Sequence, residues 1–198
     1  MKLTLSALLL TFVAALTGCS TPSLNALASD DTAIADDGLT GIWQPLDKET
    51  QKPEEDETYT ITSTGDKQYE VTIEKKDDKD KPMQFALRLV KLGDATFIDM
   101  TVSNSGRKEM ERFGTTLAPM HNFFKYKRDG DTLEVWALDN DYVEKALKKG
   151  DLKLAYALHE EKHVVITAST ADLQAFFKAN AASADLFEAP GTLKRKAK

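Results

Sequence analysis

Cysteine is almost missing from this chain: of 198 residues only Cys19 carries a thiol. One cysteine cannot make an internal disulfide, so the folded body must be held by packing, and cysteine-rich zinc sites are excluded. Histidine is nearly as scarce, with His121, His159 and His163 the only three. Basic charge is not in surplus either. Lys and Arg number 26 against 32 Asp and Glu, a formal net charge of -6. Such a body has no field drawing it to phosphate backbones or anionic lipid, so nucleic acid is not an expected partner. Long apolar runs are absent after Leu16, and nothing later approaches the roughly 20 residues of a spanning helix. No serine sits in a glycine elbow, no glycine-rich phosphate loop opens a helix, and no carboxylate pair is marked out by its neighbours. The sequence therefore supports neither an enzyme nor a cofactor.

What is present begins with Leu3–Leu16, an apolar run after Lys2 that ends in Leu16-Thr17-Gly18-Cys19. This stretch resembles the lipobox of bacterial lipoproteins. The resemblance implies that residues 1–18 are a signal peptide and that Cys19 becomes the lipidated first residue, diacylglyceryl on sulfur and a further acyl group on nitrogen. Two or more chains make a stable anchor without a basic patch, so the expected partner is a membrane, reached by lipid alone. Ser20 follows the anchor, and in lipoproteins of double-membraned bacteria a residue other than aspartate there accompanies sorting to the outer membrane, on its periplasmic side. Residues 20–37 are mostly Ser, Thr, Ala, Asn and Asp and show no periodicity. They read as a flexible tether from Cys19, reaching about 25 Å, with a single domain over 38–198.

Within that domain, period-two alternation dominates. Gly38-Leu39-Thr40-Gly41-Ile42-Trp43-Gln44 reads as a glycine-flanked first strand ended by Pro45. The segments 59–64 and 68–75 pair about Gly65-Asp66, 83–92 and 95–103 about Gly93-Asp94, and 121–128 and 132–138 about Asp129-Gly130, the strongest hairpin signal of the three. Two mixed or acidic loops, 51–57 and 75–81, separate the strands. A polar loop over 103–114 contains a helix-like fragment at 107–112 too short to stand alone. Asn140 or Asp141 caps a short helix that Gly150 stops, and strands follow at 152–158 and 163–168. Ser169-Thr170-Ala171-Asp172 is a capping box opening a helix with Leu173, Phe176 and Phe177 on one stripe. Residues 192–198 add a short strand. Eight or nine short strands with only two helices describe an antiparallel meander, and closing it into a small barrel of about eight strands removes its edges. A barrel of that size holds side chains or one small ligand.

Gly41-Ile42-Trp43 resembles the Gly-x-Trp opening of lipocalin and other calycin barrels. In that family an arginine near the last strand stacks on the tryptophan, and here Arg195 is the residue placed to serve. The segments 88–99, 119–125 and 167–177 also resemble a widespread group of exported bacterial proteins with no assigned activity. The calycin resemblance implies a binder of a hydrophobic or amphipathic small molecule; the rival expectation is a non-catalytic module that docks another envelope protein through the loops 51–57 and 75–81. Candidate ligand contacts are Arg88 and Asp99, opposed on adjacent strands, and His121 beside Phe123 and Phe124. A charge inside an apolar barrel must be paired or anchor a ligand. Alternation equally allows both charges to face water. His159 and His163 face each other across a turn, but a zinc site needs further ligands that only the exposed Glu160 and Glu161 would supply, so no metal is expected.

Overall fold

The computed structural model describes residues 21–76, 82–104, 119–160 and 163–197. The lipobox, the loop tip 77–81, most of the 103–114 loop with its 107–112 fragment, and the turn at 161–162 lie outside the described residues. Among the described residues the strands are β1 Ala33–Ile34, β2 Gly41–Pro45, β3 Glu57–Gly65, β4 Gln68–Lys75, β5 Met83–Leu92, β6 Ala95–Val102, β7 His121–Asp129, β8 Thr132–Ala137, β9 Tyr156–His159, β10 His163–Ile166 and β11 Gly191–Arg195. The helices described are α1 Asn140–Lys149 and α2 Thr170–Asn180.

Eight of the strands close into an antiparallel barrel. β2 through β8 follow one another as a meander, and β11 enters between β8 and β2 to complete the ring. The expected hairpins form within a residue of their predicted turns. β5 and β6 pair from Phe85–Val102 to Leu92–Ala95 about Gly93, whose φ of 62° is the conformation glycine adopts without cost. The other two turns move one residue on: Gly65 still pairs with Gln68 and Asp129 with Thr132.

Alternation along the strands feeds two separate cores. Inside the barrel, Trp43, Tyr59, Tyr69, Leu87, Leu89, Ile98, Met100, Phe124, Tyr126 and Leu193 belong to one continuous buried cluster. The second core lies outside the wall. There Val90, Leu92, Phe97 and Phe123, the opposite faces of β5, β6 and β7, pack with Val143 and Leu147 of α1, Val164 and Ile166 of β10, and Leu173 and Phe177 of α2. Phe177 stands at 5.3 Å from Phe97 and 5.4 Å from Phe123, ring centre to ring centre. The apolar bulk on both faces of β5 and β6 thus belongs to two packing layers. Strands β9 and β10 are not barrel staves; they form a hairpin over the outer core.

The expected tether is a correction. Residues 21–37 pack against the body as a strap, with Thr21, Ser23, Leu27, Ala28 and Ala33 buried. Leu27 and Ala28 enter the outer core, and β1 pairs with β5 at Leu89 and Val90, beyond the last β4–β5 pair at Tyr69–Leu87. Side chains of α2 hold the strap's backbone, Gln174 donating to Leu27 O at 2.9 Å and Thr170 to Ala26 O at 2.7 Å, and the strap's own Asn25 donates to Ala168 O at 2.9 Å. The domain boundary therefore falls ahead of Gly38, the expected start.

Helix ends follow the expected chemistry with one displacement. Ser169 accepts from Asp172 N as the capping box requires, and Gly150 ends α1 at φ 79°. The cap of α1 is Asp139, which accepts from Tyr142 N at 2.9 Å. Asn140 instead accepts from Thr21 N at 2.7 Å.

Candidate functional site

Asp99 and His121 lie on facing strands, and their side chains project from the outer wall of the barrel beneath the strap. His121 Nδ1 is 2.6 Å from Asp99 Oδ1, and Asp99 Oδ2 accepts from Ala28 N at 2.8 Å. Both carboxylate oxygens are thus engaged on a residue only 5 % exposed. His121 is held by its backbone as well, exchanging hydrogen bonds with Ser23 at 2.9 Å each way. The register places Arg88 opposite Asp99 as expected, yet its guanidinium turns to the exposed Asp30 at 2.9 Å. The structure brings Asp99 and His121 together, keeps Arg88 apart from them, and sets all three against the strap and outside the barrel lumen. Chemically the Asp99–His121 pair is a hydrogen-bonded clamp on the strap.

The turn end of the barrel carries a second polar group. Trp43 is fully buried, donates Nε1–H to Leu39 O at 2.8 Å, and has the Arg195 guanidinium 4.2 Å above its ring. Arg195 also donates to Thr40 O at 2.7 Å, to Gly38 O and to Asp131 at 2.8 Å. These contacts explain two glycines: a Cβ at Gly41 would overlap the Arg195 guanidinium, and one at Gly38 that of Arg128. Beside them Asp36 accepts from Arg128 at 2.7 and 2.9 Å and from the Tyr126 hydroxyl at 2.6 Å, and its own N–H donates to the Tyr69 hydroxyl at 2.7 Å. The Arg128 hydrogen bond, ahead of the Tyr126 one, holds the Asp36 carboxyl below its usual range despite burial. Burial, reinforced by Asp36, pushes the Tyr126 phenol far up, so it stays a donor. Sequence reasoning missed Asp36, Tyr69, Tyr126 and Arg128 as a group. No local spacing links them, since Asp36 lies in a segment read as coil and its partners stand on β4 and β7.

At the other end Tyr59 donates to Glu57 Oε1 at 2.5 Å, and burial, with Glu57 adding to it, raises the Tyr59 phenol well above its usual value. Burial and the neighbouring Glu57, Asp47 and Asp56 likewise raise Glu54. A small cavity of about 10 Å3 opens beneath Thr21, lined by Asn122, Phe124, Leu138 and Asn140. That volume suits at most a single water. His159 and His163 are directly paired across β9 and β10, and both are exposed. Among the described residues no three His, Cys, Asp or Glu side chains are grouped to hold a metal, and no helix is long and apolar enough to cross a membrane.

The described residues thus form a closed eight-stranded antiparallel barrel in which the buried Trp43 of the first stave is covered by Arg195 of the last. Compared with known proteins, the chain matches no family model, no curated protein and no solved structure.

Proposed function

We propose that this chain is a lipid-anchored protein of the bacterial envelope, fixed through Cys19 to a membrane on its periplasmic side, and that its barrel is a non-catalytic scaffold for docking a partner protein. The observation that carries the scaffold reading is the burial of the inward-facing side chains. Large side chains from every barrel strand, Trp43, Tyr59, Phe124 and Tyr126 among them, line the interior as one buried cluster. A drug-sized ligand needs roughly 300 Å3 or more, which these side chains would have to vacate. Contacts with other molecules then fall to the outer surface and the loops, 51–57 among them. The anchor reading rests on the Leu16–Cys19 spacing after the apolar run.

A second reading, uptake of a hydrophobic or amphipathic small molecule, is favoured by one feature. Met83 and Phe85, at the start of β5, pack on the inner cluster while remaining only partly buried, so the barrel mouth keeps apolar surface in reach of solvent.

The anchor is tested by detergent phase partition of the full-length protein made in its host. The native protein enters the detergent phase and Cys19→Ser the aqueous phase; equal partition of the two overturns lipidation. Crosslinking in intact cells separates the other two readings. A stoichiometric protein adduct lost on replacing 51–57 by a Gly/Ser stretch supports docking, whereas lipid co-purifying with the body, and no protein adduct, supports uptake.

A further inference from the structure

The hairpin of β9 and β10 lies outside the barrel ring, and its small sheet is finished on one side only. Pro22, Ser23 and Leu24 run along β10: Ile166 N donates to Pro22 O at 2.8 Å and Leu24 N donates to Ile166 O at 2.9 Å. Ser23 bridges onward to His121 of β7, so that side is closed. On the other side, β9 has β10 as its single neighbour among the described residues. Because both backbone groups of Ile166 turn to the strap, its antiparallel partner Tyr156 stands where β9 and β10 exchange no hydrogen bond. The same holds two residues on, for Leu158 opposite Val164. The N–H and C=O groups of Tyr156 and Leu158 therefore point away from β10, along the open edge.

An open edge is a template for another strand, and folded proteins ordinarily blunt it with lysine, proline or a bulge. Tyr156-Ala157-Leu158-His159 carries none of these. It shows apolar side chains instead, with Leu158 48 % exposed and Tyr156 36 %. A second β9, running antiparallel with Ala157 opposite Ala157, sets Tyr156 of each copy against Leu158 of the other. In that register their outward N–H and C=O groups exchange four hydrogen bonds, and the exposed side chains cover one another as cross-strand pairs. Charge agrees with it: Lys153 of one copy comes to the end of β9 where Glu160 of the other stands. Moving the axis to Leu158 would call on Glu160, whose φ of 51° takes it out of the strand. Moving it to Tyr156 would call on Leu154, which the outer core holds.

We propose that β9 is a self-association edge: two copies of this chain add β9 to β9 about a two-fold axis at Ala157, joining their hairpins into one sheet that ends on a strap at either side. The 4 residues of β9 are far fewer than the roughly 20–30 a side of a stable interface, so the dimer is weak and reversible, populated where copies are crowded. It depends on neither the Cys19 anchor nor the 51–57 loop.

Disulfide trapping of the full-length chain tests it, with Cys19→Ser so that an introduced thiol is the only one. Facing Ala157 residues would have Cα atoms about 4.5 Å apart, within the range a disulfide spans. Under mild oxidation Ala157→Cys should give a covalent dimer several-fold faster than His159→Cys, whose copies the register keeps apart, or than Asp66→Cys on the β3–β4 turn. Adding Leu158→Lys to Ala157→Cys should bring its rate down to that of Asp66→Cys, since a lysine blunts the edge. All four positions are exposed, and circular dichroism checks that each variant folds. Equal rates at 157, 159 and 66, or a rate at 157 that Leu158→Lys leaves unchanged, overturns the proposal, and fastest trapping at 159 overturns the axis and the pairing with it. In intact cells, Ala157→Cys trapped on another protein and not on itself overturns the second copy as the occupant.

Discussion

Gly41 shows how one missing Cβ can hold a motif together. Its φ of 140° is open to glycine, and the space a side chain would take is filled by the Arg195 guanidinium stacked on Trp43. Gly41→Ala should cost more than about 1 kcal/mol from backbone strain, with the overlap added to it. The overlap is isolated by a double-mutant cycle in urea: in an Arg195→Ala background the cost of Gly41→Ala should fall by at least about 0.5 kcal/mol. Asp36 supplies a pH signature. Its folded-state value is depressed below an unfolded value near 3.9, so its contribution is complete above about pH 4 and is lost as pH falls through the folded value. Arg128→Met removes the main cause and should cost roughly 1–3 kcal/mol at pH 7. Urea midpoints of the native and variant proteins should be furthest apart at pH 7 and converge below pH 4.

Among the elements, the second helix brings Leu173 and Phe177 into the outer core. Phe177 is buried against Phe97, Phe123 and Phe176, and Leu173 one turn earlier is buried with it. Phe177→Ala should destabilise by about 3–5 kcal/mol in thermal or urea melts, because the rings around it sit on a rigid wall and cannot close the space. The hairpin elements were legible in the sequence since strict alternation, paired runs and Gly-Asp or Asp-Gly turns act locally. So was the Ser169 box. The destination of β9 and β10 was not legible: four-residue strands read the same whether they are staves or a flap, and only the pairing of β11 with both β8 and β2 excludes them from the ring. The strap misled for a related reason. Its composition is that of a coil, and its order comes from Asp99, Thr170 and Gln174, all at least 71 residues away. The same distance hid the site. Asp99 and His121 were singled out as an unusual charge and an unusual histidine, but the carboxylate's partner, Ala28 N, contributes no side-chain signal at all.

For the whole molecule, two cores share one wall, and β5–β7 carry both. A chain shortened to start at Gly38 keeps every barrel strand yet takes Leu27 and Ala28 out of the outer core and β1 away from Leu89 and Val90. It should bind the dye ANS and melt lower than the chain from Thr21. Equal melting of the two would show that the strap is dispensable. The opening barrel strand was legible around Gly41-Ile42-Trp43, and the structure sets the Arg195 guanidinium over the tryptophan ring. That the inward side chains of all eight strands join in one buried cluster was not legible, because alternation tells which side chains face inward but not which of them meet.

The ring is sealed by the strand made last. Until β11 leaves the ribosome, β2 and β8 have no neighbour on their open sides, and Trp43 waits for Arg195 across about 150 intervening residues. Any message truncated ahead of codon 191 would therefore yield a product with two raw sheet edges, prone to stick to its own kind.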